Sequence, residues 1–337
     1  MISSDRKALA LIGALCIAGQ VSSSAPAGLA GFQDSPAFQE RTALFTLEPE
    51  VKVLVNAPST AAFDKNKKVM LILYALPNGN TIEQTIGHKL QPGDDWHFDI
   101  QHIGAQTRFL RQLLPDRNIV VACLEANAQT LPRSWPAWRK KNGDAPIPGI
   151  AATLRKIFAD EPAEIVLSGH SGGGSFIFGY LNAVDSIPDD VVRIAFLDSN
   201  YAYDPARGHA KKLCQWLEAP GGHRLCVLAY DDATALLNGK PFVSAEGGTW
   251  GRSHAMIKDI GARFTLTRET NAPLERVSAL DGRITFLLTE NPERKILHTV
   301  QVERNGFIEA MVSGTTNEGR GYTYFGERAY GKWIPGK

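Results

Sequence analysis

From residue 51 onward the chain alternates short apolar runs with longer stretches in which apolar side chains recur every three or four positions. The runs fall at 51–55, 68–75, 119–124, 165–167, 192–197, 225–229 and 284–288. The second, KVMLILYA, is apolar at nearly every position, the pattern of a strand covered on both faces. Helical periodicity occupies 101–114, 149–159, 172–183, 206–217 and 253–261 between them, with a further helix-like segment at 306–312. Near-continuous apolar strands separated by helices predict an α/β fold, with a mostly parallel central sheet and helices on both faces. No internal repeat or low-complexity linker divides the chain, so residues 49–337 read as one domain, preceded by a mixed, loosely held lead-in at 28–48.

Residues 1–27 read differently. Arg6 and Lys7 precede an apolar stretch at 8–19, and Ala25-Pro26-Ala27 supplies an A-x-A cleavage pattern, the order of a secretory signal peptide. The stretch is shorter than the ~20 residues that cross a bilayer, and Leu15 before Cys16 does not suit a lipoprotein signal. A secreted or periplasmic protein with no membrane span after signal removal is the expectation. With 36 Lys and Arg against 35 acidic residues, and no basic tract, the chain has nothing to capture nucleic acid electrostatically. In an oxidising compartment Cys214 and Cys226 could pair. The cysteine spacing fits no zinc pattern, and neither metal nor cofactor is expected.

Gly169-His170-Ser171-Gly172-Gly173 follows the apolar run at 165–167 and precedes a helical pattern. A G-x-S-x-G sequence between strand and helix forms a sharp turn that holds the serine hydroxyl out at the end of the strand, with a helix N-terminus behind it to favour developing negative charge. Glycine stands two positions before and two after the serine, where a side chain would collide with neighbouring backbone. The elbow and the strand-helix units around it, over roughly residues 50–315, resemble the α/β-hydrolase family, and the elbow is the only specific motif in that resemblance.

The resemblance implies a nucleophile, an acid and a histidine in that chain order, because a serine hydroxyl needs a base within reach and a third group to orient it. Ser171 is the nucleophile on this reading. His298, after the last apolar run and before 306–312, occupies the base's place, with His254 a second candidate. The acid falls at the end of a strand: Asp231 is preferred, at the position the family usually uses, with Asp232 beside it and Asp198 at the end of the preceding strand as alternatives. The backbone of Gly172 is the expected first oxyanion donor. The second would come from the loop Leu76-Pro77-Asn78-Gly79-Asn80, where Pro77 lacks an N–H and leaves Gly79 or Asn80, with the Asn78 side chain a further contributor.

Two aromatic and polar segments, around Trp96 and around Trp135, are expected at the substrate crevice, since loops on that side of an α/β sheet line it. Tryptophan among Arg, Asp and His suits a polar, aromatic or carbohydrate-linked ester, either a small molecule or polymer-linked. The expected activity is that of a serine carboxylesterase. A peptidase or amidase, an acyltransferase and a non-catalytic hydrolase-fold binding protein share the same motif.

Overall fold

The computed structural model describes residues 31–336, apart from positions 36 and 245. The strands, in chain order, are β1 (Gln33–Ser35), β2 (Glu40–Leu47), β3 (Val51–Pro58), β4 (Lys68–Ala75), β5 (Arg117–Ala126), β6 (Ala163–His170), β7 (Val191–Leu197), β8 (Arg224–Tyr230), β9 (Leu236–Leu237), β10 (Lys240–Pro241), β11 (Thr267–Asn271), β12 (Leu274–Ala279) and β13 (Ile284–Thr289). Eleven of them form one sheet in the order β1-β2-β3-β5-β4-β6-β7-β8-β13-β12-β11, while β9 and β10 make a separate hairpin. The stretch from β5 to β13 is parallel throughout, and antiparallel strands extend it at both edges. All seven apolar runs lie in this sheet.

The helices are α1 (Ile82–Ile86), α2 (Ile103–Leu113), α3 (Trp135–Asn142), α4 (Ile147–Lys156), α5 (Gly174–Ala183), α6 (His209–Glu218), α7 (Thr249–Gly261), α8 (Val300–Glu303) and α9 (Gly306–Val312). Successive residues of a strand face opposite sides of a sheet, and β8 shows the result: Leu225, Val227 and Ala229 enter one core with α4 to α7, while Cys226 and Leu228 enter the other with α2, α8 and α9. This is the expected fold class, with helices on both faces.

The same alternation decides against a Cys214–Cys226 disulfide. Cys214, on α6, packs into the first core and Cys226 into the second, so the sheet stands between them, and both are free and buried, as is Cys123. The lead-in also differs from expectation. Ala43, Phe45 and Leu47 alternate inward along β2, which pairs with β3 along its whole length. Its first residue, Glu40, is buried in a two-point ion pair with Arg108 of α2, at 2.6 and 3.0 Å. The expected secretory segment, residues 1–27, lies outside the described residues. Among the described residues no helix is long and apolar enough to cross a membrane.

The helices behind the last parallel strand are firmly anchored. Arg193 of β7 donates to the carbonyls of Ala310 and Ser313, both at 3.2 Å, satisfying the C-terminal end of α9 where cations are favoured. The aromatic C-terminal tail closes over α8 and α9: the Tyr330 hydroxyl donates to the Glu303 carbonyl at 2.6 Å, and that of Tyr322 to the Glu309 carboxylate at 2.6 Å. Burial, reinforced by the negative charge of Glu318, pushes the Glu309 carboxyl up to about 7.

A carboxyl that holds its proton more tightly when folded adds stability at low pH and loses it as pH rises through the folded value. Stability contributed at Glu309 is therefore present below the ordinary carboxyl range and falls away between about pH 4.5 and 7. The full effect would be on the order of 3 kcal/mol. Urea unfolding of wild type and Glu309→Gln at pH 5 and pH 7.5 checks this: the difference between the two pH values should shrink in the variant.

Candidate active site

β6 ends at His170, a short 3₁₀ turn covers Ser171–Gly173, and α5 begins at Gly174. Ser171 sits at φ 55°, in the left-handed region that non-glycine residues seldom occupy. The turn is held there by neighbouring backbone. A Cβ on Gly173 would lie 2.1 Å from the Ala75 carbonyl oxygen at the end of β4, and one on Gly174 would lie 1.7 Å from that of Ser199 after β7. Only glycine permits those approaches, and they fix Ser171 at the C-terminal edge of the sheet.

Strand register then decides which aspartate lies beside Ser171. His170 pairs with Leu197 across β6 and β7, so the residues that leave the two strands, Ser171 and Asp198, emerge side by side. Asp198 is fully buried, and its carboxylate accepts a short hydrogen bond from Nδ1 of His298, whose ring remains about a quarter exposed. Of the three aspartates considered, the structure thus brings Asp198 to His298, not the preferred Asp231. Asp231 leaves β8, one strand further from Ser171. Its N–H bonds the Thr289 carbonyl at 3.0 Å, and its carboxylate accepts from the Thr234 N–H at 3.2 Å, so it shapes the turn after β8.

Asp232 is engaged by a helix. Its two carboxylate oxygens accept the N–H groups of Thr249 and Trp250, at 2.7 and 3.2 Å, satisfying the first turn of α7 where Gly248 has no side chain to do so. The Thr249 hydroxyl donates to Asp198 and lies 3.3 Å from Asp232, so one hydroxyl links the two carboxylates. Burial and the neighbouring charge of Asp198 push the Asp232 carboxyl up to about 6.

His170 is a further member of the cluster. It is buried, its ring lies 4.5 Å from that of His298, and its Nε2 donates to the His298 carbonyl at 3.1 Å, fixing the backbone that carries the second histidine. Burial, followed by the proximity of His298, holds its pKa well below the usual imidazole value, so it stays neutral. The sequence marked it only as the variable residue of the elbow. His254 is turned away within α7, with Nδ1 bonded to the Trp250 carbonyl one turn earlier at 2.9 Å.

The loop after β4 is stapled in place but offers different groups from those expected. The Gly79 N–H is spent on the Arg133 carbonyl at 2.8 Å, and the Asn80 N–H is directed at the Pro77 carbonyl at 3.4 Å, which leaves neither for an oxyanion. Asn78 instead lies against the elbow. A Cβ on Gly172 would fall 2.0 Å from its Oδ1, so the absence of a side chain at 172 is what admits the Asn78 amide.

Ser171, Gly172 and Asn78 open into a cleft of about 730 Å³ whose walls include Pro136, Arg139, Lys140, Asp144, Ser175, Tyr201 and Arg207. Tyr201 also packs edge-on against His298, at 6.3 Å between ring centres. Neither expected tryptophan lines this cleft. Trp135 is buried, packs at a tilt against Trp138 and edge-on against Phe176, and donates its indole N–H to the Leu124 carbonyl, because the segment around it forms α3 instead of an open loop. Trp96 is exposed and lies against His97. No group of side chains suited to a metal ion occurs among the described residues.

No family model and no curated protein matches the chain. Solved structures do resemble it. A thermostable esterase superposes with a TM-score of 0.47 at 13% identity, over 84% of this chain and 62% of that one. The feruloyl esterase module from Clostridium thermocellum gives 0.45 at 11% identity, over 85% and 96% of the two chains. Siderophore hydrolase EstB from Aspergillus nidulans gives 0.43 at 11%, over 82% and 95%. The chain therefore spans less than two thirds of the thermostable esterase. The order of its strands and the turn that carries Ser171 give the expected α/β fold class, a mostly parallel sheet covered by helices on both faces.

Proposed function

We propose that the protein is a serine hydrolase that cleaves carboxylic esters through an acyl-Ser171 intermediate. The observation that carries this reading is the bond from His298 Nδ1 to the buried Asp198 carboxylate. With Nδ1 committed to Asp198, the nitrogen left to accept the serine proton is Nε2, the tautomer general-base catalysis requires. In the first step Ser171 Oγ forms a bond to the ester carbonyl carbon while His298 takes its proton. The tetrahedral oxyanion is held by the Gly172 N–H and by Asn78, and collapses as His298 returns the proton to the departing alcohol. Water, deprotonated by the same histidine, then releases the acid and restores Ser171.

The N-terminal pattern of Arg6, Lys7 and the apolar stretch supports export to a secreted or periplasmic location. The composition supports the absence of nucleic-acid partners.

A panel of activated esters of increasing acyl length, with matched amides, tests the reaction class. Wild type should turn over esters and not amides, and Ser171→Ala should lose on the order of 10⁴-fold or more in kcat. Equal labelling of the two proteins by a fluorophosphonate probe would refute the nucleophile. The acid has its own comparison. Asp198→Asn should lower kcat about 10⁴-fold by upsetting the histidine tautomer, against a loss of roughly threefold or less for Asp231→Asn, a turn residue whose replacement keeps most of its bonds. The reverse order would overturn the assignment of Asp198.

A further inference from the structure

The charges around the Ser171 cleft are unbalanced. Three cationic side chains, Arg139, Lys140 and Arg207, line it against a single carboxylate, that of Asp144. The whole chain carries a net charge of only +1, so this excess is not the local share of a basic protein.

The one carboxylate is already engaged. Asp144 holds Arg139 through both oxygens, at 2.5 and 3.0 Å, and also accepts from the Asn182 amide at 2.8 Å. Arg139 in turn donates to the Ser175 hydroxyl on α5 at 2.9 Å, two residues beyond the 3₁₀ turn of the elbow. A Cβ on Gly179 would lie 2.8 Å from Arg139 Nε, so glycine at that position of α5 is what lets the guanidinium lie across the helix. Arg139 and Asp144 therefore form a fixed, internally neutralised wall.

The other two cations remain open to a ligand. Lys140 is exposed and makes no ion pair among the described residues, while Arg207, its side chain mostly in solvent, pairs with the partly exposed Asp204 at 3.5 Å and is close enough to Asp144 to favour that carboxylate's charged form. They come from α3 and from the turn at Pro205–Arg207, distant segments that converge on one cleft.

Resting on the hydrolase reading above, we infer that Lys140 and Arg207 bind an anionic group, a carboxylate or a phosphate, carried by the ester substrate. Charges half-open to water give modest affinity, and two such pairs together are worth roughly tenfold. They discriminate among substrates and speed encounter more than they tighten binding, and they weaken with salt.

Three aryl esters with acyl chains of equal length, ending in a carboxylate, a phosphate or a neutral carboxamide, provide the test. At low salt wild type should prefer one or both anionic esters to the carboxamide by about tenfold in kcat/KM, mainly through KM, and the preference should fall toward one at 0.5 M salt. Which anion is preferred identifies the group. The double variant Lys140→Gln/Arg207→Gln should bring the ratio to about one. Equal KM for charged and neutral esters in wild type, or an unchanged ratio in the double variant, would overturn the inference while leaving ester hydrolysis standing. Calorimetric titration of Ser171→Ala with the same esters reads the charge preference without turnover. Should no ester be hydrolysed by wild type, the hydrolase reading fails, and the titration still decides whether the cleft selects anions.

Discussion

The backbone of β6 and α5 approaches the ends of β4 and β7 more closely than any side chain would allow, and the candidate site depends on that approach. Glycine at 173 and 174 lets the turn press against the carbonyls of Ala75 and Ser199, with Ser171 left at positive φ. A non-glycine residue in that region costs on the order of 1–2 kcal/mol. The parallel sheet, buried by helices on both faces, offsets the cost by leaving the turn nowhere to relax. The same contacts place the Asn78 loop against Gly172, so Ser171 and the amide beside it are positioned by one packing arrangement.

Around this turn, two neighbouring carboxylates are directed to different tasks by what surrounds them. Asp232 spends its oxygens on the exposed N–H groups at the start of α7, a structural duty. Among the described residues Asp198 receives only the Thr249 hydroxyl and the His298 ring from side chains, so its charge is directed at the histidine. Thr249, touching both, ties the position of α7 to the orientation of that pair. His170 holds the histidine's backbone from the other side and adds no charge of its own.

Much of this is legible in the sequence. Near-continuous apolar strands mark the parallel sheet, and the glycines around Ser171 mark the turn, because both follow from local sterics and periodicity. Which aspartate meets His298 was not legible: Asp198, Asp231 and Asp232 all follow strands, and only the register of β7 against β6, a long-range property, puts Asp198 next to Ser171. Gly79 and Asn80 failed as oxyanion donors for a similar reason, since the Arg133 carbonyl that occupies Gly79 arrives from a segment more than fifty residues away. Trp135 read as a crevice residue because its charged neighbours suggested an open loop, yet Ser134 caps a helix there and turns the indole inward. β2 carried its alternation of Ala43, Phe45 and Leu47 in plain view, but a strand second from the sheet's edge that buries alternate positions is a weaker signal than one buried on both faces.

The central claim is that Ser171 carries the acyl group during turnover. Rapid acid quench of the protein with an activated ester, followed by peptide mass spectrometry, tests it most directly. The account predicts an increment equal to the acyl group on the peptide containing Ser171, absent from Ser171→Ala. An acyl adduct on a different residue, with turnover retained in Ser171→Ala, would contradict it.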